Sequence, residues 1–208
     1  MIVVVKNLKI VLCYLLIFTV LFGGNAYMAY LNNNTQASSS TPLPRFSVVI
    51  DAGHGGVDSG CVGSNGVYER DINLSIAQKL GNMLNTLGVK VTYTRTNADG
   101  LYGTFASGHK MRDMRAREAI IKKANPNLVV SIHLNSYTNT AAHGAQVFYK
   151  LNSDISRELG QELQEMFVEQ VEGSRKECSP GDFYILNCSP AGILVECGFC
   201  LLYTSPSP

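Results

Sequence analysis

Strand-length apolar runs alternate with segments of helical period from Phe46 onward, and this alternation constrains the fold more than any other feature of the chain. Phe46-Ser47-Val48-Val49-Ile50-Asp51 is short, rich in β-branched residues and halted by Gly53 to Gly56, so it reads as a buried strand running into a glycine loop. From Asp71 the apolar residues Ile72, Ile76, Leu80, Met83, Leu84 and Leu87 recur at helical spacing, and Gly88 supplies the stop. Val89 to Thr94 predicts a second strand, Met111 to Ala124 a second helix, Leu128 to His133 a third strand and Gly144 to Tyr149 a fourth. Asp154 to Val171 sets Ile155, Leu159, Leu163, Met166 and Phe167 on one helical face, and Gly192 to Glu196 forms a last strand. Such an order implies a single α/β domain with a mostly parallel, twisted sheet and helices on both faces. Ligands of such sheets collect at the carboxyl ends of the strands. Here those ends carry Asp51 to His54, His133 to Asn135, and Glu196.

The length of 208 residues suits one domain plus termini. Lys+Arg 17 against Asp+Glu 16 leaves a formal charge of +1, so no global field recruits nucleic acid, and none is expected as a partner. With 46% hydrophobic and 16% charged residues, disorder, collagen and coiled coil are excluded. The apolar surplus is concentrated at the start of the chain. Lys6 and Lys9 precede an unbroken apolar run from Ile10 to Phe22, the pattern of an export signal. Residues 1–30 are therefore expected to be a signal peptide or a signal anchor. Ile10 to Tyr30 is just long enough to span a bilayer, with the lysines holding the N-terminus inside. Residues 31–45, rich in Asn, Ser, Thr and Pro, read as a flexible linker. That arrangement places the working domain in the cell envelope, anchored on the outer side of the cytoplasmic membrane or secreted.

Cysteines fall at 13, 61, 178, 188, 197 and 200, and setting aside Cys13 leaves an odd number, which argues against a complete disulfide framework. Cys197-Gly198-Phe199-Cys200 has the form of a thioredoxin-like redox site. It stands too near the end of the chain to open the helix that such chemistry requires.

Four residues could do chemistry. His54 sits between glycines that keep its ring uncovered. His133 ends an apolar strand, where a purely structural segment has no need of an ionisable group. Glu69 opens the first helix, and Glu196 ends the last strand. Each has a plainer reading when taken singly: a hydrogen-bonded structural histidine, a carboxylate placed against a helix dipole, one half of an ion pair. Together, His54, Glu69 and His133 form a two-histidine, one-carboxylate set that leaves a fourth position open for water, the arrangement of catalytic zinc. A carboxylate at Glu196 facing such a metal can take a proton from the attacking water and return it to a leaving amine. His109 and His143 lie in polar stretches and are expected to be solvated. Asp58-Ser59-Gly60 looks superficially like a protease nucleophile, but Ser59 is too close to His54 in sequence, and the chain holds no Gly-x-Ser-x-Gly elbow.

Val48 to Gly56, Glu69-Arg70-Asp71-Ile72-Asn73-Leu74, Ser131-Ile132-His133-Leu134-Asn135 and Pro190 to Phe199 closely resemble, in order and spacing, the four blocks of the zinc-dependent N-acetylmuramoyl-L-alanine amidases of bacterial cell walls. The resemblance covers residues 46–199 as a catalytic domain. It implies zinc on His54, Glu69 and His133, with Glu196 as the catalytic carboxylate. Arg117 matches the arginine of the family's middle helix, for a structural or substrate-orienting role, and Asn135 is expected to contact substrate. The implied substrate is peptidoglycan, cut at the amide between the lactyl group of N-acetylmuramic acid and the L-alanine of the stem peptide. Leu134 to Val195 leaves no room for the blocking helix of some division amidases, and no wall-binding repeat is present. The chain accordingly looks most like the sporulation amidase that helps form muramic-δ-lactam in the spore cortex; any protein activator is left open. Residues 200–208 depart from the family, which continues with a Ser-Asn turn and a closing helix. They read as truncated or foreign, with a marginally stable domain as the expected consequence. The alternative is a non-catalytic wall-binding or partner-activating module on the same fold.

Overall fold

A computed structural model describes residues 46–63, 66–136 and 143–200. The expected signal segment, the linker and the tail beyond Cys200 lie outside the described residues. Among the described residues no helix is long and apolar enough to cross a membrane.

The elements alternate as the patterning requires: β1 (Ser47–Ala52), α1 (Glu69–Thr86), β2 (Lys90–Tyr93), α2 (His109–Ala124), β3 (Leu128–Asn135), β4 (Gln146–Lys150), α3 (Asp154–Gln170), β5 (Ser179–Gly181), a 3₁₀ turn (Tyr184–Cys188) and β6 (Gly192–Phe199). The sheet order is β2-β1-β3-β6-β4-β5. Neighbours run parallel except β4 and β6, which are antiparallel. β5 has no counterpart in the sequence reading. Ser179-Pro180-Gly181 lacks an apolar run and holds a proline, which a sheet tolerates at the edge position that β5 occupies.

The period-two alternation of the strands separates two apolar layers. Val49, Val129 and Leu194 pack with Ile121 of α2 and with Ile185 and Leu186 of the 3₁₀ turn. On the other side Leu134 packs with Ile72 of α1. α3 lies on β4, where Gly160 sits against Val147 and Tyr149, and it is stitched to β6 by the Gly192 N–H donating to Ser156 Oγ at 3.0 Å. Ser153 caps α3 by accepting from the Ser156 N–H. Ile155 departs from expectation, being 70% exposed. The buried stripe is centred on Ser156, Leu159, Gly160, Leu163, Gln164 and Phe167, with Ser156 turned inward in place of the isoleucine.

The cysteines differ as well. Cys61 and Cys200 form a disulfide, while Cys178 and Cys188 are free. The CxxC pair is therefore not joined to itself; Cys200, the first residue of the atypical ending, meets the loop before α1.

Candidate active site

β1, β3 and β6 are adjacent and parallel, so their carboxyl-terminal halves bring together His54, just past β1, with His133 and Glu196, which stand inside strands that run on to Asn135 and Phe199 instead of ending them as expected. His54 adopts a left-handed backbone, φ 64°, unusual for a non-glycine residue, as the chain turns off β1. Two glycines make the approach possible: a Cβ on Gly53 would overlap the His133 ring, and one on Gly60 would overlap Glu69 and the His54 ring. Glu69 comes from above the edge as the first residue of α1.

The three side chains converge. His54 Nε2 lies 3.1 Å from Glu69 Oε1, and His133 Nδ1 lies 3.3 Å from the same oxygen. The two imidazoles meet edge to face with centroids 5.0 Å apart, and one donor atom from each of the three residues lies within 4.8 Å of the others. In a tetrahedral zinc site with bonds near 2.1 Å, adjacent ligand atoms are roughly 3.4 Å apart. The two short edges match that spacing, so the donor set and its geometry fit such an ion.

Surrounding groups hold the set in place. Glu69 is 3% exposed; its Oε1 accepts from the Leu134 N–H at 3.1 Å and Asn73 Nδ2 at 3.2 Å, and its Oε2 from the Cys61 N–H at 2.9 Å. Burial pushes its carboxyl up, but the hydrogen bonds from His133 and His54 outweigh that and hold it far below the usual carboxylate range. The other nitrogen of His54, Nδ1, lies 3.2 Å from Asp58 Oδ1, so a second carboxylate orients the ring. Burial lowers the His54 pKa, yet the Glu69 and Asp58 carboxylates outweigh it and raise the imidazole above its ordinary value.

Glu196 is different in kind. It pairs in register with His133 across β3 and β6, which sets the two side chains on one side of the sheet. Its Oε2 is buried and has no hydrogen-bond partner among the described residues. Burial pushes its pKa up to about 7; the neighbouring Glu69 charge adds to the rise, and His133 and His54 oppose it. A carboxyl poised near neutrality serves as a proton acceptor and then a donor at working pH.

Of the two roles open for Arg117, the geometry supports the structural one. The residue is 2% exposed and donates to Asp113 Oδ2 and Asp51 Oδ1 at 2.6 Å each, to Ala52 O at 2.8 Å and to His54 O at 2.6 Å. It braces the turn that presents His54 and has its charge matched from behind, rather than reaching toward a substrate. Asn135 closes β3, half-buried, just past a register shift between His133 and Asn135. His109 is not a solvated loop residue: it opens α2 and packs its ring against Tyr102 and Phe105. His143 is exposed, as expected.

Sequence reasoning passed over Asp51, Asp58, Asn73 and Arg95. Asp51 carried the same signal as Glu196, an acid at the end of an apolar strand; it accepts from Arg117, from Thr94 Oγ1 and from Ser131 Oγ, the last two at 2.7 Å. Asn73 stands one helical turn after Glu69 and also donates to Gly53 O. Arg95 is buried and bonds the carbonyls of Ala52, Gly53 and Arg70, closing the back of the glycine loop. No local pattern announces that role, because its partners are backbone atoms remote in sequence.

A parallel strand edge that gathers two imidazoles and a carboxylate into a metal-sized cage, beside a buried carboxyl ready to exchange a proton, defines a hydrolase. The chain belongs to the N-acetylmuramoyl-L-alanine amidase family, whose model matches residues 48–202. The germination-specific N-acetylmuramoyl-L-alanine amidase of Bacillus subtilis is 29% identical over 175 residues, covering 82% of this chain and 73% of that protein. Among solved structures, the CwlD amidase of Clostridioides difficile, determined in complex with the GerS lipoprotein, is 33% identical with a TM-score of 0.68, covering 75% of this chain and 83% of its own. The amidase AmiC2 of Nostoc punctiforme is 31% identical with a TM-score of 0.59, covering 75% and 81%. The chain is thus an enzyme, an N-acetylmuramoyl-L-alanine amidase that hydrolyses peptidoglycan, and the non-catalytic alternative falls away.

Proposed function

We propose that His54, Glu69 and His133 hold a zinc ion and that Glu196 is the catalytic acid and base in cutting the amide between the lactyl group of N-acetylmuramic acid and L-alanine. The observation that carries this reading is the convergence of His54 Nε2 and His133 Nδ1 on Glu69 Oε1, next to a carboxylate with a buried, unpartnered oxygen. Bound there, zinc supplies a Lewis acid for the scissile carbonyl and makes water nucleophilic at neutral pH. Glu196 accepts a proton from the attacking water and delivers it to the alanine nitrogen as the C–N bond breaks. Arg117, Asp58 and Asn73 keep the cage oriented while this happens, and Asn135, at the rim, contacts the substrate.

The likeness to the germination-specific and CwlD amidases supports a role in spore-cortex maturation, with muramic-δ-lactam as the product of later steps. CwlD was solved with a lipoprotein bound; a protein activator is proposed for this chain too. Residues 1–30 export the domain or anchor it on the outer side of the cytoplasmic membrane, with residues 31–45 as its tether and 46–199 as the catalytic unit. Metal analysis together with release of stem peptides from purified peptidoglycan tests the core of the proposal. One zinc per chain and cleavage at the lactyl–alanine amide are the expected results. Full zinc retention after alanine replacement of each of the three ligands in turn would sink the assignment.

A further inference from the structure

The segment after β2 carries a group of rings that the amidase chemistry leaves unused. Tyr102, Phe105 and His109 contact one another, with centroid separations of 6.5 Å for Tyr102 and Phe105, 5.6 Å for Tyr102 and His109, and 4.9 Å for Phe105 and His109. Phe105 is nevertheless 62% exposed, and Val57, on the His54 loop, is 52% exposed. Single exposed apolar residues are ordinary on a protein surface, but a contiguous aromatic group held open to solvent is not.

This segment is built to be rigid. Arg112 folds back and donates to the carbonyls of Tyr102 at 3.2 Å, Ser107 at 2.7 Å, Thr104 at 2.9 Å and Ala106 at 3.4 Å. The Leu101 N–H donates to Asp113, the same carboxylate that receives Arg117. The segment is also tied to the catalytic loop: the Gly56 N–H donates to Ala98 O at 2.7 Å, and the Val57 N–H to the Tyr102 hydroxyl at 2.9 Å. The rings therefore stand on the same edge as His54 and are fixed relative to it.

Their chemistry selects a ligand. Residues 100–109, Gly-Leu-Tyr-Gly-Thr-Phe-Ala-Ser-Gly-His, hold no Asp, Glu, Lys or Arg, and the neighbouring Arg112 spends its donors on backbone carbonyls. Of the flanking charges, Lys110 is exposed and lies close enough to Asp58 to help hold its carboxyl low, and Asp99 is negative, so a stem peptide rich in carboxylates finds one cation there and no excess of positive charge. A neutral N-acetylated sugar ring does find a match, because its flat C–H face packs on an aromatic face and loses little on leaving water. Resting on the amidase reading for the identity of the polymer, we infer that Tyr102, Phe105 and His109 form a subsite for the sugar rings of the glycan strand, beside the bond that is cut.

Two measurements on the full chain test this. In the first, binding of N-acetylglucosamine oligosaccharides, which carry no charge, is followed calorimetrically. F105A should weaken binding about three- to tenfold, the scale of one aromatic contact, while F105W retains it. In the second, KM and kcat are compared on peptide-bearing glycan chains and on a lactoyl-peptide without the sugar. F105A should raise KM on the chains by a similar factor with kcat unchanged, and leave the lactoyl-peptide unaffected. Phe105 is mostly exposed, so the variant should melt with the parent protein. Oligosaccharide binding that is undetectable in the parent, or unchanged in F105A, overturns the subsite and returns the ring group to some other contact, such as a protein partner. Ring-dependent sugar binding without cleavage of either substrate would instead uphold the subsite while the amidase reading failed.

Discussion

The cage of His54, Glu69 and His133 and the carboxylate of Glu196 are neighbours, yet they are organised in opposite ways. Glu69 receives three hydrogen bonds from Leu134, Asn73 and Cys61, and His54 is gripped by Asp58 from behind. Glu196, in register with His133, keeps a buried oxygen that has no hydrogen-bond partner among the described residues. A metal ligand works by being held in one orientation and one charge state, so its neighbours satisfy it. A proton shuttle works by changing charge state, so its surroundings leave it nearly balanced between the two.

The strongest way to break the contrast is to remove a ligand. H133A should lose its zinc and all measurable turnover while the sheet remains folded, because the neighbouring strand positions stay apolar; metal content and peptide release check it. E196Q attacks the other side. It should bind zinc as the parent does and lose about 10² to 10⁴ in kcat. In the metal-free protein the same change should also stabilise. The folded pKa of Glu196 lies above its ordinary value, so ionising it costs stability as the pH rises from about 4.5 toward about 7. E196Q should therefore melt higher than the parent at pH 8, by at most about 3 kcal/mol of stability, and equal it at pH 4. Parallel melting curves at both values would show that the carboxylate is not strained by burial.

R117M tests the support beneath the cage. It leaves Asp51 charged and buried with only Thr94 and Ser131 as partners, and should cost about 3–5 kcal/mol by denaturant titration. Burial pushes the Asp51 carboxyl up, but Arg117 and the two hydroxyls outweigh it, so its folded pKa is depressed. The stability from this pair is then present above the ordinary value of 3.8 and disappears as the pH falls through the folded pKa. The loss in R117M should shrink correspondingly in acid. D58A sits at the small end: zinc affinity, measured by chelator competition, should fall about 10- to 100-fold with the fold intact. Unchanged affinity would make Asp58 a turn residue, whose Oδ1 accepts from the Gly60 N–H at 3.2 Å.

The sequence by itself determined the alternation of strands and helices, because period-two and period-3.6 burial are local consequences of backbone geometry. It also marked His54, Glu69, His133 and Glu196, since a histidine between glycines, ionisable groups on apolar strands and a carboxylate opening a helix, each ordinary alone, together make a metal-ligand set with a proton acceptor beside it. Only the tertiary structure decided how these groups meet. Glu69 joins the cage because α1 starts above the strand edge, and Arg117 turned out to be a brace because Asp51 lies 66 residues away in sequence and 2.6 Å away in space. Arg95, Asn73 and Asp58 were invisible for the same reason: their roles consist of contacts with backbone carbonyls and with the side chains of Glu69 and His54, which no local pattern records. β5 escaped because an edge strand needs no apolar run, and Ile155 misled because a helical face is placed by what it packs against, not by its spacing alone.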